Sequence, residues 1–125
     1  MATDGVLLWR ELFEVAAKVC AHYGLTYGKI EPDIAKKWRY YGECESCDRC
    51  YSAKNVANQN CKDKIIKIRI HQLHRRSRPL SRRVIFDTLA HELAHLRPEC
   101  WDHGRTHTAF TKEILAFVRE IGYSW

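Results

Sequence analysis

Two histidines on one face of a helix constrain this chain more than any other feature. The segment His91-Glu92-Leu93-Ala94-His95 sets its histidines four residues apart, so the two imidazoles lie one above the other. One metal ion can reach both. Glu92, one step round the helix, is placed to hold a water and accept its proton. The flanking residues predict the helix that this geometry needs. Ser81 is the N-cap, Val84, Ile85, Phe86, Leu89, Leu93 and Leu96 supply apolar faces, and Pro98 stops it.

A second helix is predicted to run to about Ile121, with Asp102 as its cap and Phe110, Ile114, Phe117, Val118 and Ile121 facing the core. Extending that stripe backwards reaches His107 and then His103, and either can supply a third ligand. Two histidines from one helix and one from the next leave a fourth position for water, which is the arrangement of catalytic zinc. Asp102 is a candidate to orient His103, and Asp87, one turn before His91, a candidate to face an imidazole.

The chain has 125 residues, which suits one domain. Residues 6 to 23 read as a helix, from Leu8, Leu12, Val15, Ala16, Val19 and Tyr23 at helical spacing. Leu25, Tyr27 and Ile30 suggest a strand broken near Pro32, and residues 34 to 41 a further strand or a short turn followed by one. The clearest strand lies between Lys64 and Leu73, where Ile66, Ile68 and Ile70 alternate with Lys67, Arg69 and His71. Its edge is expected to form the rim of a cleft, open to pairing with an extended peptide. Residues 74 to 80 read as a basic connection into the metal-motif helix. The class is therefore α+β.

Between about residues 42 and 63 the chain is polar and carries Cys44, Cys47, Cys50 and Cys61. Soft thiolates suit zinc, or less well an iron–sulfur cluster, and four of them complete a tetrahedral structural zinc site. A polar loop of this length has little core to hold it, so a metal clip has a physical purpose. No segment resembles a signal peptide or a membrane span, so reduced thiols and a cytoplasmic location are expected. The net charge is +6, and Arg69, Arg75, Arg76, Arg78, Arg82 and Arg83 crowd together before the metal-motif helix. Such a patch attracts DNA or an acidic protein, with Arg75, Arg76, Arg78, Arg82 and Arg83 as the candidate contacts.

Several of these segments occur together in one known group. Tyr41-Gly42-Glu43-Cys44, the alternating Ile66–Ile70 strand, Thr88-Leu89-Ala90-His91-Glu92-Leu93-Ala94-His95-Leu96 and the later histidine-bearing helix follow in order. Over residues 6 to 121 the chain resembles the small zincin metallopeptidases of the SprT-like and YgjP-like group, related to the Spartan and WLM proteases. The resemblance implies a minimal zincin-like fold: an N-terminal helix, a small three- or four-stranded sheet, the metal-motif helix and a C-terminal helix. It implies His91 and His95 as zinc ligands and Glu92 as general base. His103-Gly104 matches the first half of the group's His-Gly-x-x-aromatic segment, which makes His103 the third ligand, with His107 as the alternative. The cysteine-rich insert departs from the group's simplest pattern.

The function expected is zinc-dependent endopeptidase-like hydrolysis of a protein or peptide substrate, with His107, a Tyr or an Arg assisting the oxyanion. The alternative from another class is a nucleic-acid-associated binding or adaptor protein whose cysteine module is structural. Metal-dependent hydrolysis of RNA fits less well, because the three-histidine endoribonucleases lack this glutamate arrangement.

Overall fold

The computed structural model describes residues 2–32, 42–45, 64–69, 71–72, 75–97, 100 and 103–125. The expected strand at 34–41, together with Cys47, Cys50, Cys61, Pro98 and Asp102, lies outside them.

Helix α1 spans Ala2–Tyr23, starting earlier than its apolar spacing predicts. Leu12, Val15, Ala16 and Val19 are at most 1% exposed and form its buried stripe. Gly24 ends the helix at φ +67°, a conformation that costs a glycine little. The Leu25 amide then donates to the Cys20 carbonyl at 2.9 Å, closing a Schellman turn, and Leu25 packs against the core.

Three strands make the main sheet, in the order β1-β3-β2. β1 is Lys29–Pro32, β2 is Gly42–Glu45 and β3 is Ile65–Ile68. β1 runs parallel to β3, pairing Ile30 with Ile66, and β2 runs antiparallel to it, pairing Cys44 with Ile66. Ile66 and Ile68 are fully buried, as their alternation predicts.

Three expectations change here. β3 is the central strand, so both its edges are already paired and neither is open to a peptide. The single strand expected up to Leu73 is broken: β3 ends at Ile68, Arg69 is buried at 6% exposure, and β4, His71–Gln72, belongs to a separate two-stranded sheet. Its partner is β5, Arg75–Pro79, so the expected basic connection is itself a strand. Alternation reports which face of a strand is apolar; it does not report where the ladder changes partner.

Helix α2 spans Arg82–Ala94, and the Ser81 hydroxyl accepts from the Val84 amide at 3.2 Å, as the sequence predicts for an N-cap. The helix packs against α1, β2, β3 and the last helix, α3. Ile85, Phe86, Leu89, Ala90, Leu93 and Ala94 are all buried, so apolar residues surround much of its circumference. α3 spans Arg105–Glu120, with His107, Phe110, Ile114 and Val118 buried along one stripe. Its N-cap is Gly104 rather than the expected Asp102.

Arg82, at the start of α2, reaches α1 and the C-terminal segment. Its guanidinium donates to both Glu11 carboxylate oxygens at 3.0 and 2.6 Å and to the Ser124 carbonyl at 2.9 Å. Trp125 stacks on Phe86 with ring centroids 5.1 Å apart. These contacts close the far side of the bundle, opposite in chain terms to the end of α2 that carries the histidines.

Candidate metal centre

The C-terminal half of α2 and the N-terminal end of α3 bring four histidines together. His91 and His95 occupy one face of α2, with ring centroids 4.9 Å apart. His107 enters from the first turns of α3, and His103 from the residues just before it. Every ring lies within 5.5 Å of the other three by centroid distance.

The nitrogen atoms show how the cluster is ordered. His95 Nε2 is 3.3 Å from His91 Nε2 and 3.2 Å from His103 Nε2. Zinc–nitrogen bonds of about 2.0–2.1 Å at tetrahedral angles place neighbouring nitrogens about 3.3–3.4 Å apart. The two spacings therefore fit a zinc-sized cation. His91, His95 and His107 each offer a ring nitrogen within 4.8 Å of the other two, a second grouping that shares two members with the first.

The orientation of His95 is settled by the backbone. Its Nδ1 lies 2.8 Å from the Cys100 carbonyl oxygen. A carbonyl only accepts, so Nδ1 carries the proton and Nε2 presents a lone pair to the cluster. Burial, then the charges of His107, His95 and His103, pull His91 down from 6.5 to about 4. Burial likewise pulls His95 down to about 4, with the other histidines and Lys64 adding to it against the opposing Cys100 hydrogen bond. Both rings are neutral at pH 7, the form in which imidazole binds metal.

Glu92 sits inside the same pocket of structure. It is 4% exposed, and its Oε1 is 3.9 Å from His95 Nε2. That spacing is too long for a direct hydrogen bond and places the carboxylate beside the nitrogen cluster. His103 is exposed while His107 is buried, so the cluster opens to solvent on the His103 side.

The other expected site residues separate from this centre. Asp87 pairs with Arg83 at 3.9 Å, both side chains substantially exposed, so its partner is a neighbouring arginine and not an imidazole. Arg82 is committed to Glu11 and Ser124, which removes it from the arginine patch expected to meet phosphate. Arg75, Arg76 and Arg78 lie on β5. Cys44 stands in β2 and packs against the core. Cys20, Cys44 and Cys100 are not disulfide-bonded, and the rest of the proposed thiolate set falls outside the described residues. Among the described residues no helix is long and apolar enough to cross a membrane.

Sequence reasoning missed two groups that orient the histidines, the Cys100 and His91 carbonyls. Main-chain oxygens leave no mark in a residue pattern. It also missed Lys64, which is 6% exposed and raises the cost of protonating His95.

The chain is an α+β fold with a small sheet, flanking helices and a histidine cluster between two of them. A solved structure that it is similar to is a mutant of Wss1 from Saccharomyces cerevisiae, with a TM-score of 0.71 and 13% identity over 97% of this chain and 82% of that one. At that identity the shared property is the fold. No family model and no curated protein matches the chain.

Proposed function

We propose that this chain is a zinc-dependent hydrolase of peptide bonds in which His91, His95 and His103 hold the metal through Nε2 and Glu92 is the general base. The two Nε2 spacings about His95, 3.3 Å to His91 and 3.2 Å to His103, are the observation that supports it most. Zinc, when bound, acts as a Lewis acid on a carbonyl and makes water acidic enough to attack at neutral pH.

The chain's own residues supply the rest. The Cys100 carbonyl keeps the His95 lone pair turned inward. The Glu92 carboxylate, buried beside the ligands, takes the proton of the attacking water on an oxygen and returns it to the departing amine. The exposed side at His103 admits the substrate. The His107 Nε2 proton is taken by the His91 carbonyl at 2.9 Å, so that N–H is not free to meet an oxyanion.

The test compares zinc-loaded parent and E92Q on a fluorescently labelled unfolded polypeptide. Cleavage by the parent and a loss of about 10²–10⁴-fold in E92Q, with zinc content unchanged, is the expected result. A zinc-loaded parent that cleaves none of a diverse set of unfolded polypeptides refutes the hydrolase.

A further inference from the structure

We propose that His107 is a positioning residue of this centre, holding the His91 main chain and the His95 ring in register, and is not itself a metal ligand. The proposal rests on the zinc reading above. It begins from an oddity of α3. The buried stripe that continues as Phe110, Ile114 and Val118 starts with an imidazole, and that imidazole is 2% exposed. A polar ring in such a place is costly unless its N–H finds an acceptor.

The acceptor is the main-chain carbonyl of His91, 2.9 Å from His107 Nε2. Because a carbonyl only accepts, the proton of His107 sits on Nε2 and its lone pair on Nδ1. His95 is the opposite tautomer, with its proton on Nδ1 and its Nε2 bare. The two rings are stacked, with centroids 4.0 Å apart and planes at 18°, and lone pairs lying in two stacked planes do not converge on one ion, so an ion held by His95 Nε2 lies out of reach of the His107 lone pair. The His91 carbonyl belongs to the last turn of α2, where the intrahelical ladder runs out of N–H partners. His107 thus ties α3 to α2 at the residue bearing the first ligand.

The ring does a second thing. It lies nearly parallel to His95, with centroids 4.0 Å apart and planes at 18°, and edge-on to His91 at 4.4 Å and 78°. His95 is held at Nδ1 by Cys100 and across its face by His107. Rotation of an imidazole about its last torsion swings the Nε2 lone pair away from the metal, and these two contacts oppose that rotation. A phenylalanine in place of His107 would keep the stack and leave the His91 carbonyl without its donor.

The test has two parts. Long-range ¹H–¹⁵N correlation spectra of the metal-free parent read each histidine tautomer directly; His107 is expected protonated at Nε2 and His95 at Nδ1. Zinc affinity is then measured by competition with a chromogenic chelator, and ligand number by the cobalt(II) d–d spectrum, in parent, H107F and H103A. H107F is expected to retain one metal per chain, an unchanged cobalt band shape and an affinity about tenfold weaker. H103A is expected to lose stoichiometric binding. Loss of the bound metal or a changed cobalt spectrum in H107F overturns the proposal by making His107 a ligand. Unchanged affinity in H107F, or a proton on Nδ1 of His107, overturns it as well. A parent that ignores zinc refutes the zinc reading and the positioning role together; the tautomer spectrum, which needs neither metal nor variant, then shows whether the His107–His91 bond itself was misread.

Discussion

Acidifying the metal-free chain from pH 7 to pH 5 is expected to lower its melting temperature by about 8 °C, most of it through His91 and His95. In the folded chain both rings are held at about 4, against 6.5 for an ordinary histidine, chiefly by burial. Across this window the unfolded chain takes up a proton on each ring and the folded chain does not. The folded values lie below the unfolded one, so stability is full above about pH 6.5 and falls with falling pH until about pH 4. A fully buried ring with these two values would lose about 1.8 kcal/mol between pH 7 and pH 5. Both rings keep some contact with water, and solvent screening cuts this to about 1 kcal/mol each, or about 2 kcal/mol for the pair. In a chain of this size 1 kcal/mol corresponds to about 4 °C. Circular dichroism melts at 222 nm with a chelator present measure the effect directly. Equal melting temperatures at pH 7 and pH 5 would refute the reasoning. So would an undiminished fall in H91Q/H95Q, because the loss would then belong to other groups.

Zinc at about 100 times its dissociation constant should add about 2.7 kcal/mol, raising the melting temperature by about 10 °C in a chelator-reversible way; H95A should show no such rise. Arg82→Ala removes the paired contact to Glu11 and the bond to the Ser124 carbonyl, and since the pair is partly exposed the expected loss is about 1 kcal/mol in urea unfolding. Ser81→Ala removes the hydroxyl that caps Val84 and should cost about 1 kcal/mol in the same assay.

The two neighbouring histidines on α2 were legible because a helix converts a spacing of four residues into a shared face with no help from the rest of the chain. The Ser81 cap, the buried stripe of α1 and the Ile66–Ile68 alternation were legible for the same reason: each is a local rule of backbone period or local hydrogen bonding. What the sequence by itself determined was thus the helices, the buried face of β3 and the placing of His91, Glu92 and His95 on α2. Where those elements sit was decided by packing. β3 became the central strand only when β1 and β2 took its two edges, and the basic segment became β5 only when β4 offered it a partner. Arg82 left the arginine patch because α1 presented Glu11 to it. The positions of His103 and His107 divide in the same way. Both lie on one backward extension of the α3 stripe, and no spacing rule separates them. Packing places them differently: His103 Nε2 lies beside His95 Nε2, while His107 Nε2 donates to the carbonyl oxygen of His91. That oxygen belongs to the main chain of another helix, so its position exists only once α2 and α3 have packed.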